Sequence, residues 1–211
     1  MLIRPYQSSD RAAVADVCVR TADAGGDSRH LYPDEELMPS IFALPYAHLE
    51  PDLAFVLDDG DRAVGYILGT ADTTAFVENY RTDWLPGLLD RYPATETTPR
   101  TPTEQMVWLM HHPERMILPE LADYPAHLHI DLLPDHQRHG HGKNLMGAFL
   151  HALADEGVPA VHLGMLTSNT GARVFYDRLG FHPISVPAHK DLTYLGLKVG
   201  PNAWFGTPSQ G

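Results

Sequence analysis

The sequence is poor in cysteine, in basic residues and in long apolar runs. Cys18 is its only cysteine, so an intramolecular disulfide is excluded, and we interpret this residue as a small apolar side chain in an amphipathic helix. No apolar run approaches the roughly 20 residues that span a bilayer. The first residues are typical of a strand rather than of a secretory signal. We therefore expect a cytoplasmic protein with no membrane partner.

The charge balance is acidic. The chain has 15 Lys and Arg residues against 27 Asp and Glu residues, which gives a formal net charge of −12. Nucleic-acid binding requires clustered cations that neutralise phosphates, so we expect no nucleic-acid partner. An acidic surface favours cationic substrates such as amines, and solubility alone would explain it equally well.

The length and the hydrophobic content fit one domain. The 211 residues are 44% hydrophobic, which is enough for a packed core. Residues 71–126 differ from the rest, because they are rich in proline and carry Trp84 and Trp108. A structureless stretch of this length is rare inside a compact domain, so we predict a helical insertion that packs on the sheet. We expect residues 201–211 to form a loose tail.

Hydrophobic periodicity predicts the regular elements around the insertion. A turn signal between the second and third strands favours a hairpin at that point. Glycine and capping residues mark the ends of the later helices. Strands are expected near 2–6, 53–57, 63–70, 127–133, 158–166 and 194–199, and helices near 34–42, 103–111, 142–156 and 171–179. A further helix is expected after a cap at Ser8, Ser9 or Asp10, with Val14, Val17 and Cys18 as its apolar stripe.

The segment after the strand near 127–133 has the composition of an anion-binding loop. Residues 134–143 read PDHQRHGHGK. Gly140 and Gly142 allow a tight turn whose backbone N–H groups converge at a helix N-terminus, where a pyrophosphate fits. Arg138 and Lys143 can add positive charge. The dinucleotide-binding fingerprint is excluded, because its third glycine is missing. The Walker loop is excluded, because its Gly-Lys followed by Ser or Thr is missing. A plain glycine-containing loop is the alternative.

The loop and a second segment resemble the two motifs of the Gcn5-related N-acetyltransferase (GNAT) family. In that family the loop is Gln or Arg, two residues, Gly, one residue, then Gly or Ala, and it binds the pyrophosphate of acyl-CoA. Residues 169–181, NTGARVFYDRLGF, resemble the second motif, with its Asn, Ala, aromatic-Tyr pair and Gly-Phe. The resemblance implies an α/β fold in a single domain over 1–211. Its mixed, mostly antiparallel seven-stranded sheet would be flanked by helices, with the insertion between strands 3 and 4.

A closer resemblance is to the acetyltransferase-like domain at the C-terminal end of the eukaryotic O-GlcNAc hydrolases. It rests on residues 3–6, 55–57, 65–70 and 72–76, and it covers most of the chain, including the insertion. That domain is regarded as catalytically dead and its phosphate loop is eroded. The present sequence keeps both glycines of the loop, so the cofactor argument stands.

The GNAT resemblance implies which residues would bind acetyl-CoA or CoA as the cofactor. Backbone groups of the fourth strand would pair with the pantetheine arm, and the loop would hold the pyrophosphate. The helix of the second motif would run past the thioester group of the bound cofactor. These residues are Ile130, Asp131, Leu132, Arg138, His139, Gly140, His141, Gly142, Lys143, Asn169, Ala172 and Tyr176.

The resemblance also implies the chemistry, which is acetyl transfer to a primary amine of a small molecule or of a protein lysine. Tyr176 holds the place of the acid that protonates the leaving thiolate. Some family members carry a base, Glu, five positions before the motif Asn, where this chain has Gly164. His129 and Asp131 are the candidate bases on the fourth strand, and Asp72 or a water relay stays open.

Two function classes remain, an active acetyltransferase and a non-catalytic acyl-CoA-binding module. The expected partners are acetyl-CoA and an unidentified amine acceptor, and the protein is expected to be a monomer or a homodimer. The histidines lack the spacing of metal ligands, so no metal site is predicted. We expect the insertion to cover the acceptor side, with Trp84 or Trp108 as an apolar wall.

Overall fold

Seven strands form one mixed sheet in the computed structural model, which describes residues 1–95 and 97–200. The strands are β1 (Leu2–Pro5), β2 (Ala54–Asp58), β3 (Ala63–Thr70), β4 (Ala126–Leu132), β5 (Ala160–Leu166), β6 (His182–Ile184) and β7 (Leu192–Lys198). Their order is β1-β2-β3-β4-β5-β7-β6, and every neighbouring pair is antiparallel except β4 with β5. The predicted fold class is confirmed. Periodicity missed β6, which has only three residues.

Helices cover both faces of the sheet. They are α1 (Arg11–Thr21), α2 (Leu37–Phe42), α3 (Leu44–Leu49), α4 (Thr73–Asn79), α5 (Pro102–His111), α6 (His141–Asp155) and α7 (Thr170–Arg178). On one face α1 lies against β3 and β4, and on the other face α6 lies against β1 to β4. Among residues 1–95 and 97–200, no helix has both the length and the apolar character needed to cross a bilayer.

The helical insertion lies between β3 and β4, as the resemblance implied. It begins with α4, whose first turn is capped by Asp72. A π-helical turn at Tyr80–Trp84 and several 3-10 turns follow. Thr101 opens α5 with a capping box, since its Oγ1 accepts from the N–H of Glu104 at 3.1 Å and the Glu104 carboxylate accepts in return. Local capping signals between the prolines therefore explain why this segment is helical. The predicted loose tail at 201–211 lies outside the described residues.

A glycine decides how closely α6 approaches the sheet. The helix buries one apolar face, which consists of Leu145, Met146, Phe149, Leu150 and Leu153. Its Phe149 ring sits directly over Gly69 of β3, where an added Cβ would overlap both that ring and the carbonyl oxygen of His127. No side chain fits between the strand and the helix at this point, so the close packing of α6 depends on Gly69.

Two glycine-to-alanine variants should therefore change stability in opposite directions. Gly69→Ala forces the strand and the helix apart and should lower the free energy of unfolding by about 1–3 kcal/mol. Gly147→Ala adds its methyl group in α6 where nothing lies within 4 Å. It should raise stability by about 0.5–1 kcal/mol through helix propensity. Urea denaturation measures both, and a Gly69→Ala protein as stable as the parent would contradict the packing described.

Candidate active site

The parallel strands β4 and β5 separate soon after they meet. They pair only at Ala126 with Val161 and at His127 with His162. Beyond this point β4 stays paired with β3 as far as Leu132, while β5 stays paired with β7. The edge of β4 that faces β5 therefore has no neighbouring strand from residue 128 to residue 132. Its free backbone groups line a wedge-shaped opening, and the predicted cofactor residues of β4 lie along that edge.

The chain turns sharply between β4 and α6. After a 3-10 turn at Pro134–His136, the side-chain Nε2 of Gln137 donates to the carbonyl oxygen of Leu132 at 2.9 Å. Arg138 and Gly140 then take left-handed conformations, with φ values of 62° and 86°. Glycine adopts this conformation without steric cost, and nothing lies within 4 Å of the place where a Gly140 Cβ would be. The turn thus presents bare backbone at the start of α6.

Backbone N–H groups in this turn are available to a ligand. In the part of the chain that the structure describes, the N–H groups of residues 138–142 donate to no protein acceptor. The first turn of a helix lacks internal acceptors and carries a partial positive charge. The predicted loop residues at this N-terminus are Arg138, His139, Gly140, His141, Gly142 and Lys143. The arrangement suits a phosphate-bearing anion.

Gly142 brings the start of α6 close to α7 and to the end of β4. A Cβ added to Gly142 would lie 3.2 Å from the ring of Phe175 and 3.7 Å from Cδ1 of Leu132. A long side chain there would displace Phe175 or project into the turn. The anion-binding turn and α7 therefore border the same opening.

The second motif builds α7. Asn169 caps the helix, because its Oδ1 accepts from the N–H of Ala172 at 3.0 Å. Ala172 packs partly buried against the core. Asn169 and Ala172 thus fix where α7 begins. Both residues were predicted to contact a cofactor.

Tyr176 lies on the buried side of α7 and is 8% exposed. Its ring makes edge contacts with Phe175 and Phe181, at centroid distances of 5.2 and 5.4 Å. The hydroxyl makes no hydrogen bond with any described residue. Burial raises the pKa of Tyr176 well above its usual value, and the charge of Asp131 raises it further. The hydroxyl therefore keeps its proton near neutral pH.

Asp131 points from β4 toward α1. Its Oδ2 accepts a hydrogen bond from the hydroxyl of Tyr66 at 2.7 Å. Burial raises the pKa of this carboxyl to about 6, although the bond from Tyr66 favours the charged form. Cys18 of α1 lies beside the pair, and burial raises the pKa of its thiol. Asp131 is thus a carboxylate poised near neutral pH, and one of its oxygens is already in use.

His129 ends a chain of hydrogen bonds under the insertion. Its Nε2 lies 3.2 Å from the hydroxyl of Tyr46, which lies 2.8 Å from Nε2 of His127. Nδ1 of His127 lies 2.7 Å from Oγ1 of Thr73, and Thr73 donates to the carbonyl oxygen of Pro125 at 2.8 Å. Sequence reasoning found none of these partners of His129, because they come together only in the tertiary structure.

The Pro125 carbonyl sets the proton positions along this chain, since a carbonyl can only accept. The Thr73 hydroxyl donates its single proton to that carbonyl and can therefore only accept from His127. His127 then donates from Nδ1 and accepts at Nε2. Tyr46 then donates to His127 and accepts from Nε2 of His129. The remaining lone pair of His129 is on Nδ1. Burial lowers the pKa of His129 to about 4, and the cation of Arg115 adds to the effect.

Gly164 stands where some family members carry the glutamate base. It pairs with Tyr194 on β7, and a Cβ at Gly164 would lie 3.1 Å from the Tyr194 ring. A larger residue at this exposed position would require a small shift of that ring.

Other candidates take structural places. Asp72 caps α4, since its Oδ1 accepts from the N–H groups of Thr74 and Ala75. Trp84 donates to a carbonyl of α2, and Trp108 stacks on a neighbouring histidine at 4.0 Å. Their role as an apolar wall stays a prediction. The insertion reaches the histidines of β4 through Thr73 and Phe76. Within the described residues, no group of three His, Cys, Asp or Glu side chains could hold a metal ion.

Comparisons with known proteins agree with this geometry. Residues 106–181 match the model of the acetyltransferase (GNAT) family. The chain is 59% identical to the protein in the crystal structure of SsHAT, with a TM-score of 0.91, covering 94% of this chain and 98% of that one. It is 28% identical to protein O-GlcNAcase of Mus musculus over 202 residues, which are 92% of this chain and 22% of that relative's length. Both predicted resemblances are confirmed.

A more distant structure shares the fold alone. It is that of yncA, a putative acetyltransferase from Salmonella typhimurium with its cofactor acetyl-CoA. The identity is 15% and the TM-score is 0.55, over 96% of each chain.

The lowered pKa of the half-buried His129 predicts a pH-dependent loss of stability. Burial lowers its pKa from 6.5 to about 4, so between these values the unfolded chain binds a proton that the folded chain does not. The free energy of unfolding then falls as the pH falls, by at most about 3 kcal/mol over the window. His129→Gln removes this contribution. The stability difference between parent and variant, from urea denaturation, should shrink as the pH drops from about 7 to about 4.5.

A stability difference that stays constant over this range would show that His129 is not held neutral by burial. His30→Gln is the control, because the His30 side chain is 63% exposed. The His30→Gln variant measures the effect on stability of removing an exposed imidazole.

Proposed function

The chain belongs to the acetyltransferase (GNAT) family, and from this premise we propose that it transfers an acetyl group from acetyl-CoA to a primary amine. The acceptor is a small molecule or a protein lysine. The observation that supports this most directly is the opening between β4 and β5, with the anion-binding turn at its mouth. Bound acetyl-CoA would supply the activated acyl group as its thioester.

The turn before α6 fits the pyrophosphate of acetyl-CoA. The open backbone at Gly140 and the N–H groups of 138–142 offer several donors to an anion. Arg138 is exposed beside them and adds a full positive charge. Further along, the unpaired edge of β4 at 130–132 offers the backbone groups that an amide-bearing arm requires.

Tyr176 supplies a proton at the other end of the opening. Its hydroxyl is protonated near neutral pH and has no described protein partner that accepts the proton. A departing thiolate needs a proton donor, and general acid catalysis is worth about 10²–10⁴-fold in rate.

The amine must lose a proton, and β4 offers two acceptors. His129 is one candidate, because its Nδ1 carries a lone pair and the ring is neutral near neutral pH, although its low pKa makes it a weak base. Tyr46 holds its Nε2–H in a hydrogen-bonded chain, which orients the ring. Asp131 is the second candidate, with a pKa of about 6 that matches proton acceptance near neutral pH.

The decisive experiment is thiol release from acetyl-CoA over a panel of primary amines. We expect release with at least one amine, and loss of acetyl-CoA affinity by calorimetry in Gly142→Glu, which crowds Phe175 and repels phosphate. Arg138→Gln should weaken binding without crowding anything. Gly147→Ala, in the same helix but away from the turn, is the matched control. Unchanged affinity in Gly142→Glu would contradict the phosphate assignment. Binding without release on any amine would favour the non-catalytic module.

Tyr176→Phe tests the acid. The variant removes only the hydroxyl, so packing against Phe175 and Phe181 should survive and acetyl-CoA affinity should stay nearly unchanged. Turnover should fall by about 10²–10⁴-fold where chemistry limits the rate. Tyr92→Phe is the control, because it removes a hydroxyl that donates to Asp34 in the insertion. Parental turnover in Tyr176→Phe would show that solvent supplies the proton.

A further inference from the structure

The two ring nitrogens of His129 have different surroundings. Nε2 lies 3.2 Å from the hydroxyl of Tyr46. Nδ1 makes no hydrogen bond with any described residue, and it is not one of the buried side-chain atoms that lack a partner. The residue as a whole is half-buried, so Nδ1 keeps some contact with the outside. A ligand that reaches Nδ1 meets either a lone pair or a proton there, and the tautomer of the ring decides which.

The chain of contacts behind His129 holds one proton at every link when Nε2 carries the ring proton. Nε2 of His129 then donates to Tyr46, and the hydroxyl of Tyr46 donates to Nε2 of His127 at 2.8 Å. Nδ1 of His127 donates to Thr73 at 2.7 Å, and the Thr73 hydroxyl donates to the carbonyl oxygen of Pro125 at 2.8 Å. Every donor therefore points toward a carbonyl, which can only accept.

The opposite order leaves one link without a proton. Thr73 would donate to His127, and His129 would carry its proton on Nδ1. The hydroxyl oxygen of Thr73 and the carbonyl oxygen of Pro125 would then face each other at 2.8 Å with no proton between them. The backbone N–H of Thr73 donates to the same carbonyl at 2.8 Å and holds the two oxygens together. The loss of one buried hydrogen bond disfavours this order by about tenfold.

The neighbours of this chain do not compete for its protons. Sδ of Met116 lies 3.8 Å from the hydroxyl of Tyr46, and a thioether is a weak acceptor. The ring of Phe76 stacks on Tyr46 at 4.3 Å, and the ring of Phe42 lies edge-on to His129 at 5.8 Å. Aromatic rings of this kind offer no strong acceptor. The order of protons thus depends on the link at Thr73.

We propose that Thr73 is a positioning residue that acts through His127 and Tyr46 to fix His129 as the Nε2–H tautomer, so that the open Nδ1 accepts a hydrogen bond from the acceptor amine. This inference rests on the proposed acetyl transfer and adds a residue of the insertion to it. A primary amine has N–H groups that can donate while its lone pair attacks the thioester. The role requires no proton transfer to the ring, which suits a histidine that stays neutral.

NMR of the parent protein tests the tautomer without any turnover. Long-range correlation of ring protons with the nitrogens of a ¹⁵N-labelled sample near pH 7 shows which nitrogen of each imidazole is protonated. The signals are assigned by their loss in His129→Gln and in His127→Gln. We expect Nε2–H at His129 and Nδ1–H at His127. A parent protein with Nδ1–H at His129 would overturn the proposal.

Thr73→Val removes the hydroxyl and nearly preserves the shape of the side chain. Nδ1 of His127 then has no acceptor, so its proton moves to Nε2 and the order of the chain reverses. The ratio of the Nε2–H form to the Nδ1–H form at His129 should fall by about tenfold. Thr73→Ser keeps the hydroxyl and should restore the parent ratio. An unchanged ratio in Thr73→Val would overturn the proposal.

The control for this variant is Thr74→Val, in the same turn of α4. The Thr74 side chain is exposed, and its hydroxyl makes no hydrogen bond with any described residue. The same substitution at this position should leave the tautomer ratio of His129 as it is in the parent. A shift equal to that of Thr73→Val would trace the effect to the helix and not to the hydroxyl, and would overturn the proposal.

Tyr46→Phe cuts the same chain beside His129 and keeps the test available where Thr73→Val does not fold. The ratio should fall in this variant too, because Nε2 of His129 loses its acceptor. Adding Thr73→Val to Tyr46→Phe should change the ratio no further, since the connection is already broken. A ratio that Tyr46→Phe leaves at the parent value, or a further shift in the double variant, would contradict transmission through Tyr46.

Steady-state kinetics show whether the tautomer matters to the amine. Only the Nε2–H form accepts from the amine, which must therefore select that form before it binds. With a primary amine that supports thiol release, Thr73→Val should raise the KM for the amine about two- to tenfold and leave kcat nearly unchanged. The affinity for acetyl-CoA, from calorimetry, should equal that of the parent. A fall in kcat together with lost acetyl-CoA affinity would indicate general damage and overturn the positioning role.

The tautomer ratio and thiol release distinguish the two proposals. If amines are acetylated and Thr73→Val changes neither the ratio nor the KM for the amine, acetyl transfer stands and the positioning role is wrong. If no amine is acetylated and the ratio shifts as expected, Thr73 fixes the tautomer and the proposed transfer is wrong.

Discussion

The site depends on one constraint, the early separation of the parallel strands β4 and β5. The strands pair at two positions only, because β4 continues along β3 while β5 continues along β7. Each strand is held by its antiparallel neighbour, so the opening between them cannot close by pairing. Backbone groups at 128–132 are thereby left for a ligand, and the turn before α6 meets them at the mouth of the opening. Without this separation the loop glycines and Tyr176 would border a continuous sheet.

Burial dominates the electrostatics of the titratable side chains on β4. His127 and His129 are held neutral there, and Asp131 on the same strand has its pKa raised toward neutrality. Removal from water disfavours the charged form of each group, so it lowers the pKa of the histidines and raises the pKa of the carboxyl. Thr73 and Phe76 of the insertion contact His127, whereas Phe42 and Tyr46 of the earlier helices contact His129.

Glycines have two different roles around the site. Gly69 lets α6 approach the sheet, while Gly140 and Gly142 keep a backbone turn bare and close to Phe175. Gly69 therefore serves packing, whereas the bare turn leaves backbone N–H groups open to a ligand.

The sequence by itself determined the fold class, most helices and strands and the helical insertion, because these depend on local periodicity, capping and motif spacing. It predicts an anion-binding role for the turn before α6 and an acid role for Tyr176. It could not supply the three-residue strand β6, which is too short for a periodic signal. Only the tertiary structure decided how His129 is oriented, because its partner Tyr46 is 83 residues away in the chain. It also decided which charges are buried, because desolvation depends on what the insertion covers and leaves no pattern in the sequence.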